Sequence, residues 1–451
     1  MRALKVSLLA PLLLLLVAPA PARQPAPRNV MGVMSEVYLL KPADLWPGFE
    51  PSRIPVAIFD GRSTYLFNHP KPPEGFVSFS PRGIWVFVGR HESVTSNAPA
   101  KINGIWTATV LLTRERRVTT RDDAATVVHE MFHVFQRERH AEWEANELDL
   151  FAYPFDDAEV LRLRRLESEA LRHAAEPTTS RAAPCWAAAA IELRRARFAL
   201  MPKGSVAYER ASEFNEGLAE YVEARAAGRR GSGLPREEFA AEEIRRRVYL
   251  SGRAFAFLLD RLAPRWKQRL EAGEKRPLDE LLEAALPRAT RARCELSASV
   301  QEAARVRAQS DVAKLNSERA AARRDYLARD GWRIVLTSAE GSPLWPQGFD
   351  PLNLRRVAGS ELLHTRHLKL GNDAGAIEIL GRATLTEGAG EHPLFNGVRR
   401  LVVAGLPAEP AVEESAAGIK ITAADLKAGF RSARVSRDGR TLAVQLTKQS
   451  Q

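Results

Sequence analysis

The sequence contains little cysteine, with only Cys185 and Cys294 among 451 residues. This count excludes the small disulfide-rich scaffolds of secreted proteins, and neither residue belongs to the Cys-x-x-Cys spacing of structural zinc sites. In an oxidising compartment the two residues could form one disulfide. Both the paired and the free state remain open here, because the sequence does not give the distance between their Cα atoms.

Long apolar runs are equally scarce, which excludes a polytopic membrane protein. The one such run covers residues 6–17, about twelve residues, where ~20 are needed to span a bilayer. Arg2 and Lys5 lie before it, and a small-x-small sequence ends at Ala22. We expect residues 1–22 to be a secretory signal peptide, with an uncleaved anchor as the alternative. The mature protein is then secreted or periplasmic, with no membrane span.

A dominant charge of one sign is also absent. The chain has 66 basic and 55 acidic residues, a net charge of +11, and the two signs are interspersed. No basic motif interleaved with aromatic residues is present, so no nucleic-acid partner is expected. Hydrophobic residues make up 45% of the chain and charged residues 27%, which excludes a disordered or collagen-like protein.

The composition changes along the chain and predicts an α+β fold. Residues 37–113 contain short β-branched and aromatic runs separated by Gly, Pro and Asn, as in strands. Residues 122–298 have helical spacing of apolar positions. Residues 299–330 are typical of one long charged linking helix. Residues 331–451 predict a smaller, β-rich C-terminal domain.

One motif indicates metal chemistry: His129-Glu130-Met131-Phe132-His133. Positions i and i+4 of a helix lie one turn apart on the same face, so both imidazoles can bind one ion. Glu130 can then reach a water beside that ion and act as a general base. The alternative is a pair of unrelated histidines on an ordinary helix.

The motif needs a helix and a third ligand. Thr120 with Asp123 predicts a capped helix start just before the apolar run. A catalytic zinc takes three protein ligands and leaves one position open. The metzincin continuation needs a histidine where this chain has Arg139, and His140 is off that spacing. The third ligand must therefore lie further along the chain.

Residues 212–223 contain a second pattern, an Asn-Glu-Gly followed by a small residue and an aromatic: Asn215, Glu216, Gly217, Ala219 and Tyr221. This pattern resembles the second zinc helix of the gluzincin metallopeptidases, the superfamily of thermolysin and the alanyl-aminopeptidases. The resemblance implies a zincin-like catalytic domain over residues 23–298. It also implies one Zn²⁺ ion, with Glu216 as the third ligand beside His129 and His133.

Three more positions are candidates at this site. Glu220 lies one turn after Glu216 and could accept a hydrogen bond from a ligand histidine, with Asn215 in the same outer layer. The alternative is an ordinary acidic pair on a solvated helix. The gluzincin resemblance also implies that Tyr249 donates to the oxyanion of the reaction, whereas the alternative is a packing tyrosine.

Residues 102–109 are predicted to form a strand near the zinc helix. In zincins such an edge strand pairs with an extended peptide substrate. The residues expected to bind substrate are Gly104, Trp106 and Ala108, and an ordinary sheet strand is the alternative.

These features together predict a secreted zinc metallopeptidase that acts on peptide or protein substrates. Glu130 is its general base. A secreted binding or scaffold protein with a catalytically silent zinc site is the main alternative. Hydrolysis of a non-peptide amide or ester at the same site is the third reading. The choice between endopeptidase and exopeptidase stays open, because the chain lacks the Gly-x-Met-Glu-Asn strand of the aminopeptidases.

Overall fold

The structure is a computed structural model that describes residues 29–447 except 81–82, 113–117, 177–181, 288–293, 352 and 391. The predicted signal peptide lies outside the described residues. The described chain is α+β, with an N-terminal sheet, a helical middle part and a β-rich C-terminal region. Among the described helices, none has the length and apolar character needed to cross a membrane.

The N-terminal part has two helices, a 3₁₀ turn (Pro51–Arg53) and six strands: α1 (Val30–Leu39), α2 (Pro42–Leu45), β1 (Val56–Phe59), β2 (Ser63–Phe67), β3 (Val77–Ser80), β4 (Ile84–Val88), β5 (Ala98–Ile102) and β6 (Ile105–Leu111). The strand order is β3-β4-β2-β1-β6-β5, and the β1–β6 pair is parallel. The strand-rich prediction for residues 37–113 is wrong at its start, because Val37 is buried in α1.

The helix α3 (Thr120–Arg139) lies across one face of this sheet. It begins with a capping box in which Thr119 and Asp122 bond to each other's backbone N–H groups, one residue earlier than the predicted pair. Its apolar face packs into one core with sheet residues such as Val110. The buried apolar side fixes the rotation of α3 and therefore the direction of its polar side.

The middle part consists of helices and turns around α3: 3₁₀ turns at Ala141–Trp143 and Glu147–Ala152, α4 (Ala158–Ala175), α5 (Ala183–Phe198), α6 (Lys203–Ser212), a π-helical turn (Glu213–Gly217), α7 (Leu218–Ala226), α8 (Ile244–Leu262), α9 (Trp266–Glu271) and α10 (Leu278–Ala285). The two cysteines form a disulfide, with 5.5 Å between the Cα atoms of Cys185 and Cys294. This answers the question that the sequence left open.

The C-terminal part follows α11 (Ala298–Leu327), close to the predicted linking helix, and contains thirteen described strands: β7 (Trp332–Thr337), β8 (Trp345–Phe349), β9 (Leu354–Ala358), β10 (Glu361–His364), β11 (His367–Asn372), β12 (Gly375–Leu380), β13 (Thr384–Gly388), β14 (Val398–Leu406), β15 (Ala411–Ser415), β16 (Gly418–Ala423), β17 (Leu426–Phe430), β18 (Ala433–Asp438) and β19 (Thr441–Leu446). They form two sheets, β18-β19-β7-β14-β13-β10-β9 and β15-β16-β17-β12-β11-β8. Apolar residues of both sheets share one core, as in a β-sandwich.

The linking helix α11 also packs against α4. Its buried Arg319 forms ion pairs with Asp156 at 3.3 Å and Glu242 at 3.0 Å. In the sandwich, Arg356 Nη1 donates to the carbonyl oxygen of Tyr153 at 3.2 Å. The sandwich therefore contacts the helical part directly, through this hydrogen bond and a ring contact between Phe151 and Phe349.

Candidate metal centre

The helix α3 directs both histidines of the motif to one point. The Nε2 atoms of His129 and His133 lie 3.1 Å apart, and both rings are buried. Two ring nitrogens this close need a shared proton or a shared cation between them, because both lone pairs point into the same space. The i, i+4 spacing produces this convergence, as the sequence predicts.

The π-helical turn brings Glu216 to the same point. Its Oε2 atom is 3.4 Å from His133 Nε2 and 3.7 Å from His129 Nε2. The turn lies tightly against α8, since a Cβ added to Gly217 would be 2.6 Å from the Cα of Gly252. Only glycine permits so close a backbone approach, and this contact sets the depth at which Glu216 enters the site. Single π-helical turns of this kind are frequent at functional sites.

A glutamine that the sequence analysis missed orients His133. Gln136 Oε1 lies 2.8 Å from His133 Nδ1, and Gln136 Nε2 donates to the carbonyl oxygens of Phe214 and Asn215 at 3.0 and 2.9 Å. Because the amide accepts from Nδ1–H, Nε2 of His133 keeps its lone pair free. Asn215 thus takes part through its backbone carbonyl. The sequence did contain a signal for this role, because Gln136 follows the candidate ligand His133 by three residues on the same helix.

The carboxylate beside His129 is not the one expected. Glu223 Oε2 lies 3.0 Å from His129 Nδ1, which is the position that the sequence analysis gave to Glu220. Glu220 lies nearby, with its carboxylate, that of Glu223 and a nitrogen of His129 all within 4.8 Å of one another. The spacing argument considered only the residue one turn after Glu216. Glu223 follows Glu216 by seven residues, about two helical turns, so it lies on the same helix face and one turn nearer the His129 end.

Glu130 is buried beside the two histidines, with its side chain only 6% exposed. Its Oε2 atom has no hydrogen-bond partner in the described protein. Burial raises the pKa of Glu130 above its usual range, and the neighbouring imidazoles offset this only in part. A buried carboxylate oxygen without a partner is costly, so this oxygen needs a group that the protein chain does not supply.

Glu216 and Tyr249 differ in their protonation. Burial alone would raise the pKa of Glu216, but its contacts with both imidazoles hold that pKa well below its usual range. Burial, and then the negative charge of Glu216, raise the pKa of Tyr249. Tyr249 therefore keeps its hydroxyl proton at neutral pH and can act as a donor.

These residues line one cleft of about 490 Å³: Asn97, Ala98, Pro99, Thr126, His129, Glu130, His133, Arg137, Asn215, Glu216, Glu220, Glu223 and Tyr249. The structure therefore brings together the two histidines, Glu130, Glu216, Glu220, Asn215 and Tyr249.

The strand that borders the cleft is β5, whereas the predicted substrate-binding strand is its neighbour β6. β6 is not an edge strand, because Ala108 pairs with Val56 on one side and Pro99 on the other, and it is fully buried. Gly104 lies in the two-residue turn between β5 and β6, with φ at +82°. The edge that borders the cleft is β5, through Ala98 and Pro99. The Asn-Gly pair in this turn is a strong signal that β5 and β6 form a hairpin.

The donor set suits a catalytic zinc ion. Ligand atoms of His129, His133 and Glu216 all lie within 4.8 Å of one another, and two imidazoles with one carboxylate leave a further coordination position free. The partnerless oxygen of Glu130 faces the same cleft. Comparison of the chain with models of known protein families, with curated proteins and with solved structures gave no match.

Proposed function

We propose that this protein is a secreted zinc metallopeptidase with a zincin-like, gluzincin-type catalytic domain. His129, His133 and Glu216 would hold one Zn²⁺ ion. The observation that carries the proposal is the convergence of two imidazole nitrogens and a carboxylate oxygen from separate helices beside a buried glutamate oxygen that has no partner. Peptide or protein is the proposed substrate.

The reaction is hydrolysis of a peptide bond by water. When bound, the zinc ion lowers the pKa of water from 15.7 to about 7 and polarises the scissile carbonyl. Glu130 takes a proton from the attacking water on Oε2 and delivers it to the leaving amine. Tyr249 donates its hydroxyl proton in a hydrogen bond to the developing oxyanion.

The substrate is expected to pair with the free edge of β5. Ile102 and Ile105 flank the two-residue turn and form a hydrogen-bonded pair, so outward-facing backbone groups alternate from there. Lys101 then offers an N–H and a C=O to the cleft side, and Pro99 offers a C=O only. Pro99 is tolerated because its missing N–H falls on the unpaired side of the strand.

The test compares the wild-type protein with Glu130→Gln. We expect wild type to bind one zinc per chain and to cleave peptides from a mixed library. Glu130→Gln should bind zinc equally but lose about 10²- to 10⁴-fold in kcat/KM. Near-wild-type activity of the variant would refute the mechanism. Zinc binding by wild type with no cleavage of any peptide would instead favour a secreted binding protein with a silent zinc site.

A further inference from the structure

Arg137 is the only basic side chain among the described residues that line the cleft. It follows His133 by four residues and His129 by eight, so the three side chains lie along one face of α3. At 1.5 Å of rise per residue, Arg137 is about 6 Å beyond His133 along the helix. An extended peptide advances ~3.3 Å per residue. Arg137 is therefore about two substrate residues away from the metal ligands.

The guanidinium of Arg137 is held by neighbouring side chains, but its charge is not neutralised by a buried carboxylate. Its central carbon lies 5.0 Å from the centre of the Trp106 ring, and Lys101 Nζ lies 5.1 Å from the same ring. The acidic neighbour of Arg137 is Glu144, at 3.4 Å, and this carboxylate is 63% exposed. An ion pair this exposed to solvent is weak, so Glu144 can readily be replaced by another carboxylate. The guanidinium is thus preorganised and available to another carboxylate.

The opposite end of the cleft carries the acidic side chains. α7 runs antiparallel to α3, since Asn215 is bonded to Gln136 at one end and Glu223 contacts His129 at the other. Glu223 and Glu220 are consequently at the His129 end, and Arg137 is at the far end. A peptide in this cleft meets negative charge on one side of the proposed metal ligands and the positive charge of Arg137 on the other.

We propose that Arg137 binds a carboxylate of the substrate and makes the cleft selective for peptides that carry one about two residues from the scissile bond. This inference rests on the proposed peptidase function and adds its substrate class. The carboxylate belongs either to an acidic side chain or to the C-terminus of the substrate. The planar guanidinium can accept it in a bidentate pair.

The test uses nine-residue peptides, acetylated and amidated at their ends, in which one Glu is moved along the chain and compared with Gln and Lys at the same position. A matching peptide with a free C-terminus tests the second source of the carboxylate. Wild type gives the cleavage site and kcat/KM. The zinc-loaded Glu130→Gln variant gives Kd without cleavage, through the fluorescence of the protein's tryptophans. We expect the best Glu or free-carboxylate peptide to exceed its Gln or amide counterpart on the order of 10- to 100-fold in both quantities.

Arg137→Gln should remove this preference while cleavage of the Gln peptides continues, and Arg137→Glu should favour the Lys peptides. Arg139→Gln is the matched control, because Arg139 is on the same helix, contacts Phe135 and does not line the cleft. A preference that survives in Arg137→Gln, or an equal loss for all peptides, would overturn the inference. A charge preference in binding with no cleavage by wild type would support it while refuting the peptidase proposal.

Discussion

Two clusters of ionisable side chains lie next to each other in the helical part, and they differ in charge balance. The ion network consists of Glu167, Arg194, Arg197, Glu209, Glu213 and Arg247, and the metal cluster consists of His129, Glu130, His133, Glu216, Glu220 and Glu223. In the ion network three guanidinium groups face three carboxylates, and Asp279, which also contacts Arg194, is paired in addition with Arg210. The metal cluster has four carboxylates and no permanently charged cation. The first is charge-balanced within the protein, whereas the second has an excess of negative charge that the proposed zinc ion would offset.

The contacts within the ion network are close and reciprocal. Arg194 Nη1 donates to Glu167 at 2.9 Å and to Glu213 at 3.0 Å, while Arg197 Nη2 donates to Glu209 at 2.8 Å. Burial alone would raise the pKa of Glu209, but the arginines, first of all Arg197, lower it to about 2. No water or metal is required to satisfy these carboxylates.

The π-helical turn belongs to both clusters. Glu213, at its start, is bonded to Arg194, and Glu216, three residues later, faces the two histidines. The ion network therefore contacts the segment that carries Glu216, the proposed third metal ligand. Four experiments test whether one cluster is structural and the other binds a cation.

Glu209→Gln should have the largest effect on stability. It removes one charge from a fully buried pair and leaves Arg197 partly uncompensated, which we expect to lower the free energy of unfolding by about 3–5 kcal/mol. Zinc affinity should stay the same, because Glu209 does not line the cleft and the contact of Arg194 with Glu213 in the turn is retained. Denaturant unfolding and a zinc titration measure the two quantities. A weakened zinc affinity with unchanged stability would reverse the roles of the two clusters.

The effect of Glu209→Gln should also depend on pH. The folded-state pKa of Glu209, about 2, lies below its usual value of 4.5. The stabilisation is therefore complete above pH 4.5 and is lost as the pH falls towards 2. The difference in unfolding free energy between wild type and variant should shrink over this range. A constant difference from pH 7 to pH 3 would contradict the assignment.

Zinc addition should stabilise the wild-type protein. A ligand that binds only the folded state adds about 2.7 kcal/mol at 100 times its Kd. We expect thermal unfolding to shift upward with zinc, and the shift to disappear in His133→Ala. Magnesium is the matched control, since it prefers oxygen ligands in an octahedral arrangement. Equal shifts with both ions would indicate a nonspecific acidic site.

Glu223→Gln should weaken zinc binding by about 10- to 100-fold, because it removes the carboxylate beside His129 Nδ1. Glu220→Gln is the control, and it should have the smaller effect. Competition with a chromogenic chelator measures both affinities. A larger loss of zinc affinity in Glu220→Gln than in Glu223→Gln would instead support Glu220 as the partner of the ligand histidine.

Gly252→Ala should disturb the contact between α8 and the π-helical turn (Glu213–Gly217). The new Cβ would lie 2.7 Å from the carbonyl oxygen of Glu213 and from the Cα of Gly217. Both are backbone atoms, so we expect a loss of about 1–3 kcal/mol in stability together with weaker zinc binding. Gly204→Ala is the control, because its Cβ would meet only the Asp149 side chain. Unchanged zinc affinity in Gly252→Ala would show that this contact does not position Glu216.

The part of the site that depends on local spacing could be predicted from the sequence. The histidine pair follows from i, i+4 geometry on a capped amphipathic helix, and the capping residues were off by only one position. Glu216 was proposed from its Asn-Glu-Gly context, and the structure brings its carboxylate to both imidazoles. Glu223, which the sequence analysis did not consider, lies beside His129 Nδ1, because the residue two turns after Glu216 is on the same helix face as the residue one turn after it.

The part that depends on long-range packing could not be predicted. Arg194 and Arg197 are typical of a solvated helix face, yet both are fully buried because carboxylates on other helices surround them. The edge strand was misassigned because β6 has the stronger strand sequence, whereas Pro99 makes β5 look like a loop. Strand order in a sheet depends on partners distant in sequence, which local propensity does not specify.

The disulfide has a consequence for how the protein can be produced. It joins residues separated by 109 positions, and the ring so closed contains Glu216 and most of the ion network, while His129 and His133 are outside it. A ring of about 100 residues restricts the unfolded chain by up to about 4.7 kcal/mol in the chain-entropy model. Material made in a reducing cytoplasm would lack this restraint. Its folded state, with the whole cleft, would then be less stable by a comparable amount.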